Sequence, residues 1–144
     1  MARILVIYHS DTGNTAKLAE SVAEGAKSLP GTEVQLVRAD QLDYDAAAQA
    51  DGLAIGSPDY FSYVAGQVKT FFDTVLRDER FHGKCFVGFG THGGGGKVLA
   101  CIEKLANSVK LNKVADGVMT TGAPDQDGTA QGRALGKALA DAIA

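Results

Sequence analysis

Short apolar segments alternate with helical patterns along the whole chain, and this alternation limits the possible folds more than any other feature. Residues 4–8 form a continuous apolar run, which is typical of a strand buried on both faces. From Val68 to Leu76 the apolar residues instead recur at the i, i+3, i+4, i+7 and i+8 positions of a helix. The two patterns predict strands at 4–8, 33–38, 51–56, 85–90 and 114–120, and helices at 19–29, 68–76, 99–109 and 135–143.

This alternation predicts one doubly wound α/β domain over residues 1–144. Parallel strands need helical crossovers, and right-handed crossovers place helices on both faces of the sheet. We therefore expect a five-stranded parallel sheet in the order 2-1-3-4-5, with residues 42–50 in the second crossover. Polar and apolar residues alternate over 33–38, which indicates an edge strand. Ligands of such sheets bind beyond the carboxyl ends of the strands, at the switch between strands 1 and 3.

Charge and cysteine content exclude several classes of protein. Fourteen Lys and Arg against 17 Asp and Glu give a net charge of −3, which argues against a nucleic-acid or membrane-surface partner. The apolar run at 4–8 is too short for a signal peptide or a membrane span. Cys85 and Cys101 lack CxxC spacing and are expected to be buried free thiols, which favours a reducing compartment such as the cytoplasm.

The segment after the first strand has the pattern of a phosphate site. Its three hydroxyl groups are expected to point at one spot, and it opens directly into a helix, whose N-terminal amides and dipole attract anions. It contains no Lys or Arg, which suits a phosphate that stays bound rather than one that is transferred. The plain alternative is a helix N-cap without a ligand. The predicted phosphate-binding residues are Ser10, Asp11, Thr12, Gly13, Asn14 and Thr15.

Two later loops are expected at the same edge of the sheet. The first supplies three aromatic rings that can form a flat wall for a planar ligand, although some of them could instead cap the core. The second is glycine-rich, so its backbone can approach a ligand edge and donate amides, although it could also be a flexible surface loop. The candidate residues are Pro58, Asp59, Tyr60, Phe61, Ser62 and Tyr63 in the first loop, and Thr91, His92, Gly93, Gly94 and Gly95 in the second.

The three loops together resemble those of a known family. The phosphate loop, Ser-x-Thr-Gly-Asn-Thr, resembles that of the flavodoxins, and the later segments 56–61, 65–73 and 90–95 are similar to those of the WrbA-like quinone reductases. The resemblance covers nearly the whole chain. It implies a flavodoxin-like three-layer sandwich with non-covalently bound FMN as the cofactor.

The resemblance leaves two functions open. The first is a flavodoxin, a small carrier that passes electrons to redox partner proteins; the compact length of the chain favours it. The second is an NAD(P)H-dependent quinone or flavin oxidoreductase that uses the same FMN site, with small quinones as partners. The loop motifs favour this second function, and the loop after strand 3 lacks the glycine that many flavodoxins carry. Either a monomer or a homodimer is compatible with the sequence.

Overall fold

The computed structural model describes all residues from 1 to 144, and strands and helices alternate along them. The strands are β1 (Ala2–Tyr8), β2 (Thr32–Arg38), β3 (Gly52–Pro58), β4 (Cys85–His92), β5 (Asn112–Lys113) and β6 (Val118–Thr121). The helices are α1 (Asn14–Lys27), α2 (Tyr44–Ala48), α3 (Gly66–Val75), α4 (Val98–Ser108) and α5 (Gln126–Ile143). No helix combines the length and the apolar character that crossing a bilayer requires.

All strand pairs are parallel, and the order β2-β1-β3-β4-β5 confirms the predicted doubly wound topology. β2 lies at the edge of the sheet, as predicted. The prediction of a single fifth strand at 114–120 was wrong, because β5 and β6 both pair with β4 and are separated by a bulge. Four residues, 114–117, stand opposite two residues of β4, and at the bulge the backbone of Gly117 packs directly against the carbonyl of Gly88.

The continuous apolar run of β1 reflects burial on both faces of the sheet. Leu5 and Ile7 pack into the core beneath α3 and α4, whereas Ile4 and Val6 pack into the second core beneath α1 and α5. Side chains alternate along a strand, so both faces must be apolar when helices cover both. This double burial fixes the carboxyl end of β1 beside that of β3, where the candidate loops emerge.

Several element ends differ from the predicted ones. β4 continues through His92, so Thr91 and His92 belong to the strand rather than to the following loop. Likewise, Pro58 is the last residue of β3. The second crossover contains a 3₁₀ turn at Ala39–Gln41 and the one-turn helix α2. Cys85 and Cys101 are free thiols, but each is only half-buried, so the prediction of full burial was wrong.

Helices α1 and α5 pack closely because glycines line their contact. A Cβ atom on Gly136 would overlap the backbone carbonyl oxygen of Val22, and one on Gly25 would overlap that of Arg133. Neither carbonyl can move without shifting a whole helix. The two helices therefore approach at backbone distance along the C-terminal half of α1.

The close packing of α1 against α5 predicts that one added methyl group in the contact lowers the stability of the protein. We expect Gly136→Ala to lower the free energy of unfolding by about 1–3 kcal/mol, because the added methyl group overpacks the helix contact. Gly66→Ala is the matched control, since a Cβ at Gly66 meets no atom within 4 Å. Urea unfolding of both variants measures the difference, and equal midpoints for Gly136→Ala and the wild type would contradict this account.

Candidate cofactor site

The phosphate loop presents a set of backbone amides that no protein group accepts. Gly13 adopts a left-handed conformation with φ of 99°, and its N–H donates to Ser10 Oγ at 3.1 Å. This turn directs the chain into α1 without a side-chain cap at the helix N-terminus. The amides without a protein acceptor are those of Asp11, Thr12, Asn14, Thr15 and Ala16. Such a cluster at a helix N-terminus binds an anion such as phosphate.

The hydroxyl groups of the loop do not all converge on that cluster. Thr12 is exposed, and its hydroxyl has no partner in the protein. Thr15 is buried instead, and its Oγ1 lies 2.7 Å from Thr91 Oγ1. The expectation of three hydroxyls at one spot is therefore corrected for Thr15, whose hydroxyl joins α1 to the end of β4. The close approach of the helix to the strand creates this contact, which spans 76 residues of sequence.

Arg38 supports the loop from the neighbouring strand, although it is not among the site residues predicted from the sequence. Its Nη2 donates to the backbone carbonyl of Ser10 at 2.7 Å, and its guanidinium lies 5.6 Å from the centre of the Tyr8 ring. Arg38 is half-buried at the carboxyl end of β2, in register with Tyr8. The sequence feature that could have indicated Arg38 is a charged residue at the carboxyl end of the strand that neighbours β1.

Asp11 joins the phosphate loop to the next loop. One carboxylate oxygen lies 3.1 Å from Nε2 of the buried His9, and the other accepts a hydrogen bond from the Tyr60 hydroxyl. The hydrogen bonds from Tyr60 and then His9 lower the pKa of the Asp11 carboxyl from its usual value. Burial, followed by the hydrogen bond to Asp11, raises the pKa of Tyr60 to about 12. Asp11 therefore remains ionised and Tyr60 remains protonated at neutral pH.

The residues from Tyr60 to Tyr63 form a tight turn, here called the aromatic turn. Tyr60 and Tyr63 exchange two backbone hydrogen bonds of 2.9 and 3.0 Å. The central residues Phe61 and Ser62 have φ of 58° and 63°, the left-handed region that ordinary side chains rarely adopt. Phe61 is fully exposed at the tip, and Tyr60 packs against the core. The predicted aromatic wall therefore consists of one anchored ring, Tyr60, and one that projects into solvent, Phe61, while Tyr63 is 41% exposed.

The residues from Gly93 to Gly96, here called the glycine segment, follow β4 directly. All four are exposed, and none of their amides donates to a protein acceptor. His92 is half-buried before them, with Nε2 3.4 Å from Thr121 Oγ1. Asp59 spans the space between the aromatic turn and the glycine segment, since its carboxylate accepts hydrogen bonds from Ser62 and Lys97.

The donors of the site fit FMN. Unpaired amides and the Thr12 hydroxyl are available for a phosphate at the start of α1. Unpaired amides of the glycine segment and the ring of Tyr60 are available for a planar ring system at the ends of β3 and β4. Together these features define a class, the doubly wound α/β proteins that bind a flavin nucleotide at the switch point of the sheet.

Comparison with known proteins identifies the family. The family model described as Flavodoxin matches residues 6–134. A flavodoxin of Aquifex aeolicus is 43% identical over 122 residues, which cover 82% of this chain and 66% of that protein. The type A flavoprotein fprA of Rhodobacter capsulatus is 28% identical over 144 residues, which cover 96% of this chain and 32% of that protein.

The fold is also found in a solved structure. A solved flavodoxin from the domain Archaea superposes with a TM-score of 0.92 at 22% identity, covering 98% of both chains. The chain belongs to the flavodoxin family, whose members bind FMN and transfer electrons.

The unpaired hydroxyl of Thr12 predicts a selective loss of affinity for phosphorylated flavin. We expect Thr12→Val to weaken FMN binding about tenfold or more, because a hydrogen bond to a charged group contributes about 1.5–3 kcal/mol. Riboflavin, which lacks the phosphate, should bind the variant as it binds the wild type. Fluorescence titration measures both affinities, with Thr74→Val on the exposed face of α3 as the control. Equal losses for the two flavins would show that Thr12 does not contact the phosphate.

The contact between Tyr60 and Asp11 predicts that Tyr60 ionises at a higher pH than an ordinary tyrosine. The pKa of Tyr60 is raised from 10.0 to about 12, so the protonated phenol stabilises the folded state. This contribution to the free energy of unfolding is complete below pH 10 and is lost as the pH rises through 12. We expect Asp11→Asn to lower this pKa, since the carboxylate charge and hydrogen bond both favour the protonated phenol. Ultraviolet absorbance of tyrosinate, with Tyr60→Phe to assign the signal, measures the midpoint. An unchanged midpoint in Asp11→Asn would contradict the contact.

Proposed function

We propose that the protein is an electron carrier that acts through non-covalently bound FMN, with residues 1–144 working as one cofactor-binding unit. The observation that carries this proposal is the set of unpaired amides of Asp11, Thr12, Asn14, Thr15 and Ala16, at the N-terminus of α1 and without any Lys or Arg in the loop. These donors suit a phosphate that is held and never transferred. When bound, FMN supplies reversible one- and two-electron chemistry at its ring system.

The remaining site residues are assigned to the ring of the cofactor. Tyr60 offers its aromatic face, and its hydroxyl bond to Asp11 limits rotation of the ring. Amides of the glycine segment are free to donate to the polar edge of the ring. Hydrogen-bond donors at that edge stabilise negative charge, which is how a protein adjusts the reduction potential of a flavin.

Redox partner proteins are the proposed recipients of the electrons. The fully exposed Phe61 and the partly exposed Tyr63 lie beside the proposed ring position, where a partner must approach. The free thiols of Cys85 and Cys101 support a reducing compartment such as the cytoplasm. The carrier is proposed to work as a monomer or homodimer.

The glycine segment supports a second candidate, an NAD(P)H-dependent quinone or flavin oxidoreductase. Four consecutive residues without side chains leave the cofactor ring uncovered on their side. An uncovered ring face admits a second planar molecule, such as a quinone or a nicotinamide, at stacking distance.

Anaerobic reduction of the holoprotein separates the two candidates. For a carrier, we expect potentiometric titration to give two separate one-electron steps, and NADPH or NADH alone to leave the flavin oxidised. For an oxidoreductase, benzoquinone should drive NAD(P)H oxidation much faster than an equal amount of free FMN does. Rapid bleaching by NAD(P)H would overturn the carrier proposal, and a benzoquinone rate equal to that of free FMN would remove the second candidate.

A further inference from the structure

We propose that Asp59 is a positioning residue that couples the aromatic turn to the glycine segment, so that both hold the cofactor ring as one unit. The inference rests on the proposed FMN function and assigns Asp59 a role in placing the loops rather than in contacting the cofactor.

Both oxygens of the Asp59 carboxylate are used, each toward a different loop. Oδ1 accepts a hydrogen bond from the Ser62 amide at 2.8 Å, inside the aromatic turn. Oδ2 accepts hydrogen bonds from the amides of Lys97 and Val98 at 2.9 and 3.1 Å, where the glycine segment ends. The backbone of Asp59 is itself fixed, because its amide donates to the Thr91 carbonyl at 2.8 Å.

The chain offers no substitute for this carboxylate at the start of α4. The residue that precedes the helix, Lys97, provides no side-chain cap, and the first turn of α4 contains no acidic residue. An anion at a helix N-terminus is stabilised by the helix dipole, and bonds from amides to a carboxylate are roughly twice as strong as neutral ones. Asp59 therefore caps a helix that begins 39 residues further along the chain.

The same bonds restrict two segments that are otherwise difficult to order. The glycine segment has no side chains, so fixing it costs more conformational entropy than fixing other residues. Asp59 holds its far end at Lys97, while β4 holds its near end at His92. In the aromatic turn, the bond to Ser62 stabilises a residue with positive φ. Loss of the carboxylate should therefore release both segments together.

The position of the carboxylate also determines which amides a ligand can use. The amides of Lys97 and Val98 are occupied by Asp59, whereas those from Gly93 to Gly96 are not. The ring of the cofactor is thereby directed to the glycine segment rather than to the helix N-terminus.

The test compares Asp59→Ala and Asp59→Asn with the wild type, and Asp73→Asn serves as a control. Asp73 is an exposed carboxylate on α3 that pairs with Lys69 and accepts no hydrogen bond from either segment. In the apoprotein, we expect hydrogen exchange of the Ser62, Lys97 and Val98 amides to accelerate together in Asp59→Ala. In Asp59→Asn, whose side chain keeps one acceptor oxygen, only one of the two segments should be released.

Cofactor binding supplies the second measurement. Affinities for FMN and for riboflavin should both fall about tenfold or more in Asp59→Ala, by the same factor, because the ring and not the phosphate loses its support. The midpoint potential of bound FMN should shift, as a consequence of altered amide donation to the ring edge. If Asp59→Ala does not fold, Asp59→Asn provides both measurements.

The outcomes separate this inference from the proposed function. Faster exchange at Lys97 and Val98 alone, with unchanged flavin affinities and potential, would mean that Asp59 only caps α4 and would overturn the inference. Release of only one of the two segments in apo Asp59→Ala would also overturn it. Failure of the wild type to bind FMN or riboflavin would instead refute the proposed function, and the exchange measurement would still report on the coupling.

Discussion

The apolar side chains of β1 pack alternately into two hydrophobic cores, and this two-sided burial fixes where every loop of the site can lie. Because α1 packs on one face and α3 on the other, the chain leaves β1 and β3 in opposite directions at their carboxyl ends. The gap between the two connections receives the phosphate loop from one side and the aromatic turn from the other. The glycines between α1 and α5 allow these two helices to pack at backbone distance on the same face of the sheet.

Two carboxylates join the three loops of the site. Asp11 connects the phosphate loop to the aromatic turn through the Tyr60 hydroxyl, and Asp59 connects that turn to the glycine segment. Each carboxylate accepts bonds from more than one donor, so neither is left as an isolated charge. The phosphate loop can thus bind an anion through neutral amides, while Arg38 supplies positive charge from behind the Ser10 carbonyl.

The aromatic turn shows how this part of the fold tolerates backbone strain. Phe61 and Ser62 both adopt positive φ, which costs an ordinary residue on the order of 1–3 kcal/mol. Two backbone hydrogen bonds between Tyr60 and Tyr63 and the bond from Ser62 to Asp59 offset that cost. The result is a turn that keeps the Phe61 ring exposed while the Tyr60 ring stays anchored against the core.

The sequence by itself determined the fold and the family, because the alternation of buried strands with amphipathic helices and the phosphate-loop motif are local patterns. The order of the strands followed from connection rules, but the bulge between β5 and β6 did not, since it depends on the contact between Gly117 and Gly88. Only the tertiary structure decided the detailed roles of site residues: the Thr15 hydroxyl bonds to Thr91, and Asp59 caps α4. These contacts join residues 76 and 39 positions apart, and local sequence patterns carry no information about which distant backbone group a side chain will meet.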